Sequence, residues 1–144
     1  MKMLKRLSFS LILALLLVGF SCERTDCCVM PAATELHGNW EFVRIHYGFT
    51  NTTRTATEVG YTERLEIDGA KSHLRRLKNG KEVESTAFSL TERDNSNIIT
   101  FEEEQTYSYY TIFEEEGKIM LSLYERSPVG AMIADGGVYY YEKK

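Results

Sequence analysis

Asn79-Gly80 lies between two runs of strand-forming residues, His73 to Lys78 and Lys81 to Leu90, and constrains the fold more than any other pair in the chain. Both central positions of a two-residue type I′ turn need positive φ, which Asn and Gly tolerate. A loop of that length also sets the register. Lys78 falls opposite Lys81, Arg76 opposite Val83 and Leu74 opposite Ser85, with Arg75 opposite Glu84 on the other side of the hairpin. This register predicts that Arg75 and Glu84 pair on the solvent side while Leu74, Val83 and Ala87 face a core. Phe88 and Leu90 have the opposite parity, so a bulge or bend is expected further along the second strand.

The rest of the chain after Ala32 repeats this texture. It has no internal repeat, no low-complexity stretch and no window of helical periodicity, and β-branched and aromatic residues recur in short runs between turn residues. Besides the hairpin, candidate strands are Asn39 to Tyr47, Tyr61 to Ile67, Asn97 to Phe101, Thr106 to Phe113, Lys118 to Tyr124 and Val138 to Glu142. Tyr61, Leu65 and Ile67 share one face, as do Ile119, Leu121 and Leu123, and Tyr107, Tyr109 and Phe113. Asp68-Gly69 and Glu116-Gly117 supply further turns. Short connections favour antiparallel neighbours, and a long meander leaves two exposed edges unless the sheet closes on itself. The expected fold is therefore all-β, a single antiparallel up-and-down barrel of about eight strands.

The N-terminus has a different character. Lys2, Lys5 and Arg6 precede an apolar run from Leu7 to Phe20, and no acidic residue occurs before Glu23. That is the outline of a secretory signal peptide, with an apolar run shorter than the roughly 20 residues needed to span a bilayer core. Val18-Gly19-Phe20-Ser21-Cys22 resembles a bacterial lipobox. The resemblance implies cleavage before Cys22 and lipid on its sulfur and new amine, and two or three acyl chains suffice for stable anchoring where one does not. The expected organisation is a signal peptide over 1–21, a lipidated flexible tether over 22–34 and the barrel over 35–144. The expected location is the bacterial cell envelope, lipid-anchored at the outer membrane and facing either the periplasm or the exterior.

Three of the 17 basic residues and none of the 21 acidic ones lie in 1–21, which leaves 14 against 21 and a formal charge of −7. Such a balance argues against nucleic acid, whose phosphates require basic patches. Cys27 and Cys28 are neighbours in the tether and read as incidental thiols, since a bond between adjacent cysteines needs a strained ring. His37, His46 and His73 stand on separate segments without ligand spacing, and neither G-x-S-x-G, a P-loop nor H-E-x-x-H occurs. Glu102 to Glu104 and Glu114 to Glu116 read as solvated strand ends that discourage edge pairing. No catalytic residue, metal site or cofactor is expected.

Two segments carry a family resemblance. Gly38-Asn39-Trp40 resembles the G-x-W start of the first strand in lipocalins, and Asp135-Gly136-Gly137-Val138-Tyr139-Tyr140 resembles the D-G-x-x-Y-Y terminal strand of small lipocalin-like lipoproteins of Gram-negative bacteria. The resemblance implies that Trp40 closes one end of the barrel. Lipocalins proper place an arginine from the last strand on that Trp, where this chain offers Lys143 and Lys144. Tyrosines suit the mouth of such a barrel because each joins an apolar body to a polar tip, which makes Tyr107 and Tyr109 candidate ligand contacts. They equally suit the filling of an eight-stranded interior. Arg44, on the Trp40 and Phe42 face, and Glu63, between Tyr61 and Leu65, form a candidate inward pair that orients a ligand, unless both reach water at strand ends. The expected function is non-enzymatic binding of a small amphipathic or hydrophobic ligand. The alternative is a filled barrel that contacts another envelope protein through the loops Gly48 to Gly60 and Glu125 to Gly137.

Overall fold

The structure is a computed structural model that describes residues 31–131 and 136–144. The expected signal peptide and Cys22, Cys27 and Cys28 lie outside the described residues. Helix α1 (Pro31–Leu36) leads into β1 (Gly38–Tyr47), β2 (Thr52–Thr55), the one-turn helix α2 (Ala56–Val59), β3 (Glu63–Asp68), β4 (His73–Lys78) and β5 (Lys81–Arg93). There follow β6 (Ser96–Phe101), β7 (Thr106–Glu115), β8 (Lys118–Tyr124), the short β9 (Ser127–Pro128) and β10 (Gly137–Lys143).

Strands β1, β3, β4, β5, β6, β7, β8 and β10 pair in that order, and β10 returns to β1, which closes an antiparallel barrel of eight strands. Closure removes the edges that an open meander would expose. Local chemistry sets the sharp corners. Asn79 and Gly80 have φ of 51° and 75°, Glu116 and Gly117 have 52° and 75°, and Asp94 and Asn95 have 50° and 61°, all with the paired positive φ of type I′ turns. The stretch from Gly48 to Gly60 is more ordered than a long loop: β2 folds back on β1 from Arg44 to Tyr47, and α2 follows it. Thr55 and Glu58 start α2 with a reciprocal capping box, and Gly60 ends it at φ 77°.

Two bulges change which side chains point inward. In β1, Phe42 pairs with Tyr141 but Arg44 pairs with Tyr140, so Val43 is an extra residue and Arg44 turns outward while Ile45 turns in. In β5, Glu82 pairs with Leu77 but Glu84 pairs with Arg76, so Val83 is the extra residue. The bulge thus comes earlier than the parity of Phe88 and Leu90 suggests. From Glu84 onward a single parity, Glu84, Thr86, Phe88 and Leu90, faces the interior, and Val83 and Ser85 are exposed. Arg75 does face solvent, where it pairs with Glu66 and Glu82 rather than Glu84.

One end of the barrel is sealed. Trp40, Leu36 and Leu74 have no exposed surface, and Ile67, Phe88, Ile99 and Leu121 complete the packing. Helix α1 forms the plug: Ala33 is buried, so the folded domain reaches back to Pro31 and the part of the expected tether from 31 to 34 belongs to it. The Trp40 indole N–H donates to the Leu36 carbonyl at 2.7 Å. Lys143 lies with Nζ 5.1 Å from the centroid of the Trp40 ring and donates to the Glu35 carbonyl at 3.1 Å, so a last-strand cation does lie against this Trp. Gly69 lets the plug seat, because a Cβ there would fall 2.1 Å from the Ala33 carbonyl oxygen.

Candidate functional site

At the opposite end the interior is neither filled nor apolar. A cavity of about 260 Å³ opens between the turn after β6 and the segment after β8. Leu65, Phe101, Leu123, Tyr139 and Tyr141 form its apolar wall.

A row of alternating charges crosses this end. Glu63, at the start of β3, has only 5% of its side chain exposed and accepts the Tyr141 hydroxyl proton on Oε1 at 2.7 Å. Arg76 of β4 stands between two acids, with Nη1 3.9 Å from Glu63 Oε2 and Nε 2.9 Å from Glu84 Oε2. The second contact is ionic only, since neither atom makes an aligned hydrogen bond. Glu84, 6% exposed, accepts from Arg126 Nη1 on Oε1 at 2.6 Å, and the same nitrogen donates to Glu104 Oε2 at 2.9 Å at the rim. The Arg126 guanidinium rests on the Phe101 ring, 3.5 Å from its centroid. Buried charges persist only when paired in this way, because desolvation of a lone ion costs several kcal/mol. Burial, with Glu63 beside it, pushes the Tyr141 phenol well above its usual range, and burial with Glu125 nearby pushes Tyr139 up to about 12.

The wall has a second opening. Strands β1 and β3 pair only from Gly38 to Glu41, after which β1 continues with β2. A depression of about 290 Å³ lies in the gap, between Phe42, Ala56 and Leu77, and Glu63 lines both it and the main cavity.

The residues expected from sequence to contact a ligand are dispersed. Glu63 lies inside, buried and paired. Arg44 does not meet it: the Val43 bulge places Arg44 on the outer wall, where both its terminal nitrogens donate to Glu115 at 2.9 Å and its guanidinium lies 4.5 Å from the Tyr140 ring centroid. The Arg44 hydrogen bonds hold the Glu115 carboxyl below the usual carboxylate range. Tyr107 and Tyr109 are also outside. Their β7 neighbours Ser108 and Tyr110 face Ile99 and Leu123 in the interior, while Tyr107, Tyr109 and Tyr124 pack edge to face on the outer wall. The Tyr107 hydroxyl donates to the Ala131 carbonyl, which ties down the segment after β8. Trp40 sits in the sealed end.

Arg76, Glu84, Arg126 and Tyr141 were not legible as site residues. A sequence signal existed for Glu84, whose parity matches Thr86, Phe88 and Leu90. Arg126 lies in a connection with no periodicity to place it. The histidines occupy separate positions, His37 accepting the Gly69 N–H and His46 and His73 meeting hydroxyls of Thr53 and Ser85. Among the described residues no three His, Cys, Asp or Glu side chains converge to hold a metal, and no helix is long and apolar enough to cross a membrane.

In comparison with known proteins, the chain matches no family model, no curated protein and no solved structure. The strand pairing itself therefore defines its class, a closed eight-stranded lipocalin-like barrel sealed at one end and open at the other.

Proposed function

We propose that this chain is a lipid-anchored lipocalin-like lipoprotein of the bacterial cell envelope that binds a small amphipathic ligand in the open end of its barrel, without catalysis. The observation that carries this reading is the cavity of about 260 Å³, with aromatic and aliphatic side chains on one wall and paired ions across it. Ligand sites commonly combine a mainly apolar lining with a few fixed polar groups. The volume lies below the ~300–1,000 Å³ usual for drug-sized molecules, and the sealed half below is packed, so the ligand is compact rather than a long acyl chain. Binding is favoured over turnover because Glu63 and Glu84 are held by tyrosine and arginine.

A second reading, contact with another envelope protein, is favoured by the rim. Phe49 is 82% exposed and Val129 57% exposed, on two connections at the open end. Isolated exposed apolar residues are common on soluble surfaces, which ranks this reading second.

Native mass spectrometry of the full chain, purified in mild detergent from its own envelope, tests both readings. A co-purified small molecule supports the carrier, a stoichiometric protein supports the partner, and a bare mass counts against the carrier. The anchor has its own test: Cys22→Ala is expected to move the protein from the membrane to the soluble fraction and to abolish incorporation of labelled fatty acid. Retention in the membrane with label would overturn it.

A further inference from the structure

The open end already holds an organic cation of its own. The Arg126 guanidinium lies 3.5 Å from the centroid of the Phe101 ring, between carboxylate oxygens of Glu84 and Glu104 at 2.6 and 2.9 Å. An aromatic face flanked by carboxylates is the chemistry that recognises ammonium and guanidinium groups.

Deeper in the cavity the acceptor capacity is incomplete. Glu63 is 5% exposed, and while Oε1 takes the Tyr141 proton, Oε2 is met among the described residues only by Arg76 Nη1 at 3.9 Å, beyond hydrogen-bond length. That oxygen is an acceptor left open on a largely buried side chain that lines both the cavity and the side opening, so a donor on a ligand can complete it. The charge count has the same sign. Glu63, Glu104 and Glu125 line the cavity against Arg76 and Arg126, one net negative charge, and Glu84 behind them makes two. An anionic ligand would add to that excess in a poorly solvated space, whereas a cation would neutralise it.

Resting on the ligand-binding reading above, we infer that the ligand is a small organic cation, an ammonium or guanidinium group on a compact apolar body, whose head docks on Glu63 Oε2. Its body lies against Tyr139 and Tyr141, and Arg126 occupies a competing seat over Phe101 near the mouth. Arg126 reaches this seat from the segment between β8 and β9, so the competitor is carried by a connection and not by a barrel strand.

Calorimetric titration of the full chain in mild detergent with three probes of one shape, phenethylamine, phenylethanol and phenylacetate, tests the inference. The amine should bind at least about tenfold more tightly than the alcohol, as expected for a charge-assisted hydrogen bond, and the anion most weakly. Glu63→Gln should remove that preference, so that the amine binds no more tightly than the alcohol. Arg126→Ala, with urea unfolding to check that the barrel persists once Glu84 Oε1 loses its partner, should tighten the amine by up to on the order of tenfold, because it removes a cation from the cavity lining. Millimolar ethylguanidinium should then raise the melting temperature of Arg126→Ala more than that of the parent. Equal binding of the three probes, preference for the anion, or failure of both the parent and Arg126→Ala to bind the amine overturns the inference. The carrier reading falls separately, on a bare mass in the native spectrum.

Discussion

Where α1 meets the barrel, an indole, two leucines and a helix carbonyl close the tube with no exposed surface, whereas at the other end two carboxylates and a guanidinium stand inside the same ring of strands. The contrast lies in side chains that share the same backbones. Leu74 and Arg76 are neighbours on the inner face of β4, and Phe88 and Glu84 on that of β5, so each strand passes from sealing residues to ionic ones within two to four positions. Burial of apolar surface at the sealed end stabilises the fold, and paired ions inside a barrel add little net stability compared with apolar packing. The open end is thus retained at some energetic disadvantage, which is the usual mark of a site.

This division predicts a gradient of mutational cost. Trp40→Ala should have the largest effect, about 3–5 kcal/mol as for other deep aromatic truncations, measured by urea unfolding. A loss below about 1 kcal/mol would break the comparison outright. Gly69→Ala should come next at about 1–3 kcal/mol, because its methyl group would push against the Ala33 carbonyl and unseat the plug. Limited proteolysis should then cut between residues 31 and 37 while the barrel stays intact. At the open end, Tyr141→Phe should cost about 1.5–3 kcal/mol in the same urea measurement, less than Trp40→Ala, since what is lost is one hydrogen bond to a buried carboxylate.

Alkaline pH should probe the buried phenols, with Tyr139 and Tyr141 of the open end joined by Tyr61 and Tyr110, which burial also raises. The Tyr139 phenol is raised from 10.0 to about 12 and that of Tyr141 is also raised, so in the unfolded chain both ionise first as pH climbs past 10. The folded state then binds more protons, and stability, fully present below pH 10, falls as pH rises through the folded values. The urea midpoint should be flat from about pH 7 to 9 and decline above about 10, and a flat midpoint beyond about pH 11 would contradict the burial of these phenols. The smallest effect is expected on the outer wall. Arg44→Ala should change the midpoint only slightly, and less still at high salt, since its partner Glu115 is solvent-screened.

All eight barrel strands were legible from short strand-forming runs between turn residues, and the Asn79-Gly80 corner sits where its chemistry places it. Facing was less legible. A bulge adds one residue without leaving a mark in composition, and each extra residue reverses every side chain beyond it. Val43 thereby separated Arg44 from Glu63, and Val83 brought Glu84 in beside Arg76. In β7 the difficulty was chemical: both faces carry aromatics, so alternation could not tell Tyr110, inside, from Tyr107 and Tyr109, outside. Residues far apart in sequence, such as Glu84 and Arg126, meet only through closure of the barrel.

The plug helix also has a bearing on how the molecule would stand in an envelope. The chain enters the barrel through α1, at the sealed end, and covalent geometry limits the nine residues from Cys22 to Pro31 to a reach of roughly 30 Å. With lipid on Cys22 as proposed, the chain would enter the barrel from the membrane at its sealed base, as a cup stands on its foot, and the brim with Phe49 and Val129 would be free to face the aqueous compartment. Cargo would be exchanged with water and its solutes rather than with the bilayer below.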